Sequence, residues 1–126
     1  MKIGIVGSRR RNEPEDLDIL VEFLSKFDLD GDVQFVSGGC PKGADFFAEV
    51  IAKSTGIPIT IHYPDKSQLP ENPKRRDFAQ INFERNTLIA RDSDILVALV
   101  APDRKGGTED TIRKFKKMKN GPIFLL

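Results

Sequence analysis

Three short glycine-bearing segments carry the residues with the most chemical potential in this chain. They are Gly7-Ser8-Arg9, Ser37-Gly38-Gly39-Cys40-Pro41-Lys42-Gly43-Ala44-Asp45 and Lys105-Gly106-Gly107-Thr108-Glu109. Glycine lets a backbone approach a ligand closely, and the free N–H groups at a helix start attract phosphate or carboxylate. The chemistry expected at these positions is therefore the holding of a small anion. A strand-to-helix turn explains any one such segment taken alone. Three of them meeting at one rim would form a binding site. The pattern is not a Walker A loop, because Gly43 is followed by Ala44 and not by lysine. No Gly-x-Gly-x-x-Gly run follows the first apolar segment, which disfavours an ordinary dinucleotide fold.

Other residue types add to this set. Arg85 carries five donors in a fork and with Asn86 could clamp a phosphate or a ribose. Glu109 and Asp110 would sit in the first turn of a helix, where acidic side chains offset the macrodipole. They could equally take ribose hydroxyls or assist cleavage of a glycosidic bond. Cys40 is the single cysteine, so it has no partner for an internal disulfide. As a nucleophile it lacks a base, since His62 ends a different strand and is expected to pack there. No Cys/His cluster has zinc spacing. Neither a metal nor a cofactor is expected.

The elements that must position these residues read as alternating strands and helices. Lys2–Val6, Val33–Val36, Pro58–His62, Asp94–Ala101 and Pro122–Leu126 are short apolar or β-branched runs that predict strands. Glu15–Asp28, Ala44–Ser54, Asp77–Asp92 and Thr108–Lys119 carry apolar residues at helical spacing. The inward stripes expected are Leu17, Leu20, Val21, Leu24 and Phe27, then Phe47, Val50 and Ile51, then Phe78, Ile81, Leu88 and Ile89. Loops are expected at Asp28–Asp32, Ser37–Gly43 and Pro102–Gly107, with a stop at Asn120-Gly121-Pro122. The proline-rich stretch Tyr63–Lys74 is the longest loop and a candidate lid. This alternation implies one α/β domain over residues 1–126. Its fold is a three-layer Rossmann-like sandwich with a five-stranded parallel sheet in the order 3-2-1-4-5 and helices on both faces. In such a sheet ligands bind beyond the carboxyl ends of the strands, where strand order reverses. Strands 2, 1 and 4 would be neighbours there, bringing the three glycine segments together.

Composition narrows the classes. The chain has 126 residues, 39% hydrophobic and 31% charged, which is globular and not disordered. Its longest apolar run, Ile95–Ala101, is far too short to span a bilayer. The apolar start runs straight into Arg9-Arg10-Arg11, so no signal peptide is expected and a cytoplasmic location is. Net charge is +1, which argues against bulk attraction to nucleic acid. The charge is uneven: residues 1–73 hold 8 basic and 12 acidic side chains, and residues 74–126 hold 12 and 7. The basic run Arg113, Lys114, Lys116, Lys117 and Lys119 lacks the interleaved aromatics of a nucleic-acid surface.

Taken in order, Gly7-Ser8-Arg9, Val36-Ser37-Gly38-Gly39-Cys40-Pro41-Lys42-Gly43-Ala44-Asp45, Arg85-Asn86, Ser93–Ala98 and Gly107-Thr108-Glu109-Asp110-Thr111-Ile112-Arg113 resemble the SLOG superfamily. That superfamily includes the DNA-processing protein DprA, the LOG enzymes and small YspA-like nucleotide-sensor domains. The likeness is greatest to the YspA-like branch and runs through nearly the whole chain. It implies binding of a nucleotide or nucleotide-sugar, of AMP, ADP-ribose or NAD-derived type, in a sensor. The implied ligand-binding residues are Gly7, Ser8, Arg9, Ser37, Gly38, Gly39, Gly43, Ala44, Asp45, Arg85, Asn86, Gly106, Gly107, Thr108 and Glu109. LOG enzymes hydrolyse nucleoside monophosphates at the base–ribose bond. Arg85 matches their arginine, nine residues before Asp94, but the position three after Thr108 is Thr111 where they have glutamate. A phosphoribohydrolase (N-glycosidase) using Arg85, Glu109 and Asp110 is therefore the alternative to binding alone. A DNA- or RNA-binding role of DprA type is the third reading, disfavoured by the bare core and low net charge. Relatives of this kind often pair, and Phe78 with Phe83 is the face a homodimer would use.

Overall fold

The computed structural model describes residues 1–29, 31–119 and 121–126. Two of the expected features, the Asp28–Asp32 loop and the stop at Asn120, thus include positions (Asp30 and Asn120) outside the described residues. The elements follow the expected alternation: β1 (Lys2–Gly7), α1 (Pro14–Leu24), β2 (Gln34–Ser37), α2 (Ala44–Thr55), β3 (Ile59–Ile61), α3 (Arg75–Asp92), β4 (Ile95–Leu99), α4 (Gly107–Met118) and β5 (Ile123–Leu125). The five strands form one parallel sheet in the order β3-β2-β1-β4-β5. The fold class read from the sequence is the one observed.

The alternation of side chains along each strand creates two cores. Ile3 and Ile5 of β1 and Ile95, Val97 and Leu99 of β4 point to one face and meet Leu20 and Leu24 of α1 and Phe47, Ala48 and Ile51 of α2. Val6, Leu96 and Ala98 point to the other face and meet Ile89 and Ala90 of α3 and Ile112 and Phe115 of α4. All five residues of β4 are buried, as expected for a strand with neighbours on both sides and helices on both faces.

Several local expectations are corrected. The first helix ends at Leu24 rather than Asp28. Lys26 and Phe27 donate to carbonyls only three residues back, at Phe23 and Leu24. That tightening swings Phe27 into an aromatic group with Phe23 and Phe124, with ring centroids 5.0 to 5.8 Å apart. Val21, Val50, Phe78 and Leu88, expected to face inward, are exposed by 40 to 47%. In α3 Ile81 and Ile89 are buried as expected, and Asn86 and Ala90 are buried with them. The inward face thus carries one polar residue, Asn86, which apolar periodicity alone does not reveal. The Tyr63–Lys74 stretch is not wholly irregular: Lys66–Gln68 forms a short 3₁₀ turn capped by the Asp65 carboxylate.

His62 does more than pack. Its Nε2 lies 3.1 Å from Asp92, whose other oxygen is 2.7 Å from the Lys2 ammonium. The hydrogen bond from Lys2, helped by His62 and opposed by partial burial, holds the Asp92 carboxyl below its usual range. A carboxyl with a lowered folded pKa adds stability that is present above its unfolded pKa and lost as pH falls through the folded one. Asp92→Asn is therefore expected to be less stable than the parent near neutrality, by a small amount, with the two converging as pH drops below about 4. Urea denaturation across pH 3 to 7 measures this, and a deficit constant over that range contradicts the assignment.

Candidate functional site

β1 leads through α1 to β2 on one side of the sheet, whereas α3 carries the chain back across to β4 on the other. Strand order thus reverses between β1 and β4, and a crevice opens beyond their carboxyl ends. A cleft of about 420 Å³ lies there. Its rim is made by Gly7, Ser8, Arg9 and Arg10 at and beyond the end of β1 and by Lys105, Gly106, Gly107 and Thr108 at the start of α4. Cys40 and Asp45 border it from the β2–α2 side, and Ala79, Asn82, Phe83, Arg85, Asn86 and Ile89 of α3 form its wall.

Both rim segments offer unspent backbone donors. The Ser8 N–H is bound to Leu99 and that of Arg11 to Ser8, but among the described residues none accepts from the Arg9 N–H. At the start of α4 no side chain caps the helix, and among the described residues the N–H groups of Gly107 and Thr108 find no acceptor. Open first-turn donors together with the helix dipole favour an anion. Four cationic side chains, Arg9, Arg10, Arg85 and Lys105, border the cleft against one carboxylate, Asp45. Arg10 is engaged by Asp103 at 2.6 and 2.9 Å. The Arg9 charge repels that of Arg85. An anion between these guanidinium groups would relieve that repulsion.

Arg85 reaches the cleft because α3 and the β2–α2 loop hold it from both sides. Its Nη1 donates to the Gly38 carbonyl and its Nε to Asn86 Oδ1 at 3.0 Å. Burial pushes the guanidinium pKa down, against the pull of Asp45 and Cys40. Asn86 in turn donates to the Gly107 carbonyl and to Asp110, both at 3.2 Å, and so fastens α3 to the start of α4. Asp45 accepts from the Cys40 N–H at 3.1 Å and lies 3.1 Å from the Ser37 hydroxyl, which also reaches the Ile5 carbonyl. Burial pushes the Asp45 carboxyl above its usual range, against the Cys40 N–H and the Arg85 charge. A Cβ on Gly38 would stand 2.7 Å from Arg85 Nη1 and 2.8 Å from Asp45 Oδ2, so the absence of a side chain there lets the two approach.

The expected site residues separate into two groups. Gly7, Ser8, Arg9, Asp45, Arg85, Asn86, Gly106, Gly107 and Thr108 border the cleft. Ser37, Gly38, Gly39, Gly43 and Ala44 are not among the residues that line it. Their segment directs its polar groups inward: Gly43 donates to Asn12 Oδ1 at 2.7 Å, and Ser37 and Cys40 hold Asp45. It is the frame for Asp45 and Arg85 more than a second phosphate cradle.

Glu109 and Asp110 also stay out of the cleft. Glu109 makes a two-pronged pair with Arg104, both contacts at 2.8 Å. Asp110 is held by Asn86, by Lys114 at 2.8 Å and more loosely by Arg113. No residue of the Tyr63–Lys74 stretch lines the cleft, so that stretch is no lid over it; Tyr63 leans on Gly39 instead. Sequence reasoning missed Arg10, Ala79 and Asn82, named Lys105 only as part of the third glycine segment, and gave Phe83 to a dimer face. The α3 members could have been found by continuing the stripe from Asn86 one and two turns back, to Asn82 and Ala79.

Among the described residues no three His, Cys, Asp or Glu side chains cluster closely enough to hold a metal ion, and no helix is long and apolar enough to cross a membrane. Compared with family models, with curated proteins and with solved structures, the chain finds no match.

Proposed function

We propose that this chain binds a nucleotide or nucleotide-sugar in the cleft between the β1 and β4 loops, as a binding or sensing domain. One observation carries the reading: unspent backbone donors of Arg9, Gly107 and Thr108 meet the Arg9, Arg85 and Lys105 side chains around one crevice. Such a set matches a phosphate better than any neutral group. The resemblance of the sequence motifs to the SLOG superfamily supports the same class of ligand. Binding without hydrolysis is favoured over the phosphoribohydrolase alternative, because Glu109 and Asp110 are committed to ion pairs outside the cleft.

Thermal denaturation with a panel of AMP, ADP-ribose, cyclic nucleotides and inorganic phosphate tests the proposal. A ligand at 100 times its dissociation constant adds about 2.7 kcal/mol. For a chain of this size that raises Tm by on the order of 10 °C. Absence of any shift at millimolar concentration across the panel removes the reading. Release of free base from AMP on prolonged incubation would restore the hydrolase.

A further inference from the structure

The wall contributed by α3 changes character along its length. Ala79, Asn82, Asn86 and Ile89 follow one another at helical spacing and all face the cleft. At the deep end Asn86 is spent, with its amide and its carbonyl oxygen both bound. About one turn outward, roughly 5.4 Å along the axis, Asn82 is half-buried and among the described residues its carboxamide has no hydrogen-bond partner. Beside it Phe83 is 44% exposed yet lines the same cleft.

Phe83 is not free to wander. The Lys114 ammonium sits 5.6 Å from its ring centroid and donates to its carbonyl oxygen. Lys114 is itself ion-paired to Asp110 on α4. A cation on one side of a ring fixes its position and leaves the opposite π-face for a second partner.

We propose that Asn82 and Phe83 form a base subsite, a reading that rests on the nucleotide assignment above. With the phosphate at Arg9 and the α4 start, the rest of the ligand runs outward along α3. Phe83 stacks the heterocycle. The Asn82 carboxamide offers a donor and an acceptor side by side, which pair with an exocyclic amine next to a ring nitrogen. Adenine presents that pattern on its N6/N7 edge, whereas hypoxanthine presents two acceptors there, O6 and N7, so one of the two bonds is lost. The cleft, at about 420 Å³, is near the small end of the usual range of about 300–1,000 Å³. It therefore houses one nucleoside phosphate unit.

Calorimetric titration of the full chain with ribose 5-phosphate, AMP and inosine monophosphate tests this. The unaltered protein is expected to bind AMP at least tenfold more tightly than ribose 5-phosphate. Phe83→Ala should weaken AMP by about fivefold or more and leave ribose 5-phosphate unchanged, with Phe83→Leu intermediate. Asn82→Ala should abolish the preference for AMP over inosine monophosphate. Both positions are at least partly exposed, so Tm should stay within a few degrees. Equal binding of AMP and ribose 5-phosphate, or an AMP affinity indifferent to Phe83, overturns the base subsite and leaves the anion site standing. Equal binding of AMP and inosine monophosphate overturns the role of Asn82. Binding of none of the three overturns the nucleotide reading and the subsite with it.

Discussion

Arg85→Met is expected to reduce phosphate-dependent ligand affinity at least tenfold and to lower stability by about 2–3 kcal/mol at neutral pH. The side chain joins three parts of the molecule. It donates to the Gly38 carbonyl of the β2–α2 loop and to Asn86 on its own helix, and its charge favours the ionised form of the buried Asp45. Methionine fills similar volume but leaves a carbonyl without its donor and a carboxylate without its cation. The loss should depend on pH with a definite sign. Burial raises the folded pKa of Asp45. A carboxyl so raised contributes its full stability below the unfolded pKa and loses it as pH rises through the folded one. Arg85 limits that loss, so its removal hurts most near pH 7.5 and least near pH 4.5. Urea denaturation at both values, with attention to an unchanged m, measures the difference. A deficit equal at the two pH values would separate Arg85 from Asp45, and an unaltered nucleotide affinity would remove Arg85 from the site. Arg85→Lys should rescue the charge and not the two-sided hydrogen bonding.

The largest stability effect is expected from Gly43→Ala, a change of one methyl group. Gly43 precedes α2 with φ +75° and ψ −154°, a backbone conformation open almost only to glycine. A Cβ there would also stand 2.8 Å from the Ser8 carbonyl oxygen, which is backbone and cannot rotate away. Strain of about 1–3 kcal/mol adds to a similar overpacking cost. A loss of about 3 kcal/mol follows, or roughly 10 °C in Tm. Because Ser8 leads into the Arg9 donor, surviving protein should also bind ligand more weakly. Gly56→Ala is the control: φ is +78°, but nothing lies within 4 Å of the added carbon. It should lose only about 1 kcal/mol. Equal losses at Gly43 and Gly56 would show that the contact with Ser8 does not matter.

That contact explains why the second glycine segment was legible as important and misread in detail. Its glycines are required, but by the protein's own groups: Gly43 clears the Ser8 backbone, and Gly38 clears the Arg85 and Asp45 side chains. Spacing alone does not say whether a bare Cα makes room for a ligand or for a neighbouring loop. The same ambiguity affected α3. Apolar residues at helical spacing pointed to Phe78 and Leu88 as core, yet the buried face carries Asn86. A helix that must fasten to the carbonyl of Gly107 needs a polar side chain there, and that need arises only once α4 is in place.

What the residues determined without coordinates was the alternation of short apolar strands with amphipathic helices. Crossovers of one hand and strands of that length leave few topologies, so the order β3-β2-β1-β4-β5 and the rim at the reversal point were accessible in advance. Tertiary structure alone decided which donors stay free. Hydrogen bonds saturate, and a group spent on Asn12, Arg104 or Lys114 is lost to a ligand. For the Gly43 N–H and the Asp110 carboxylate this depends on Asn12 and Asn86, 31 and 24 residues away, which only folding brings within hydrogen-bonding distance.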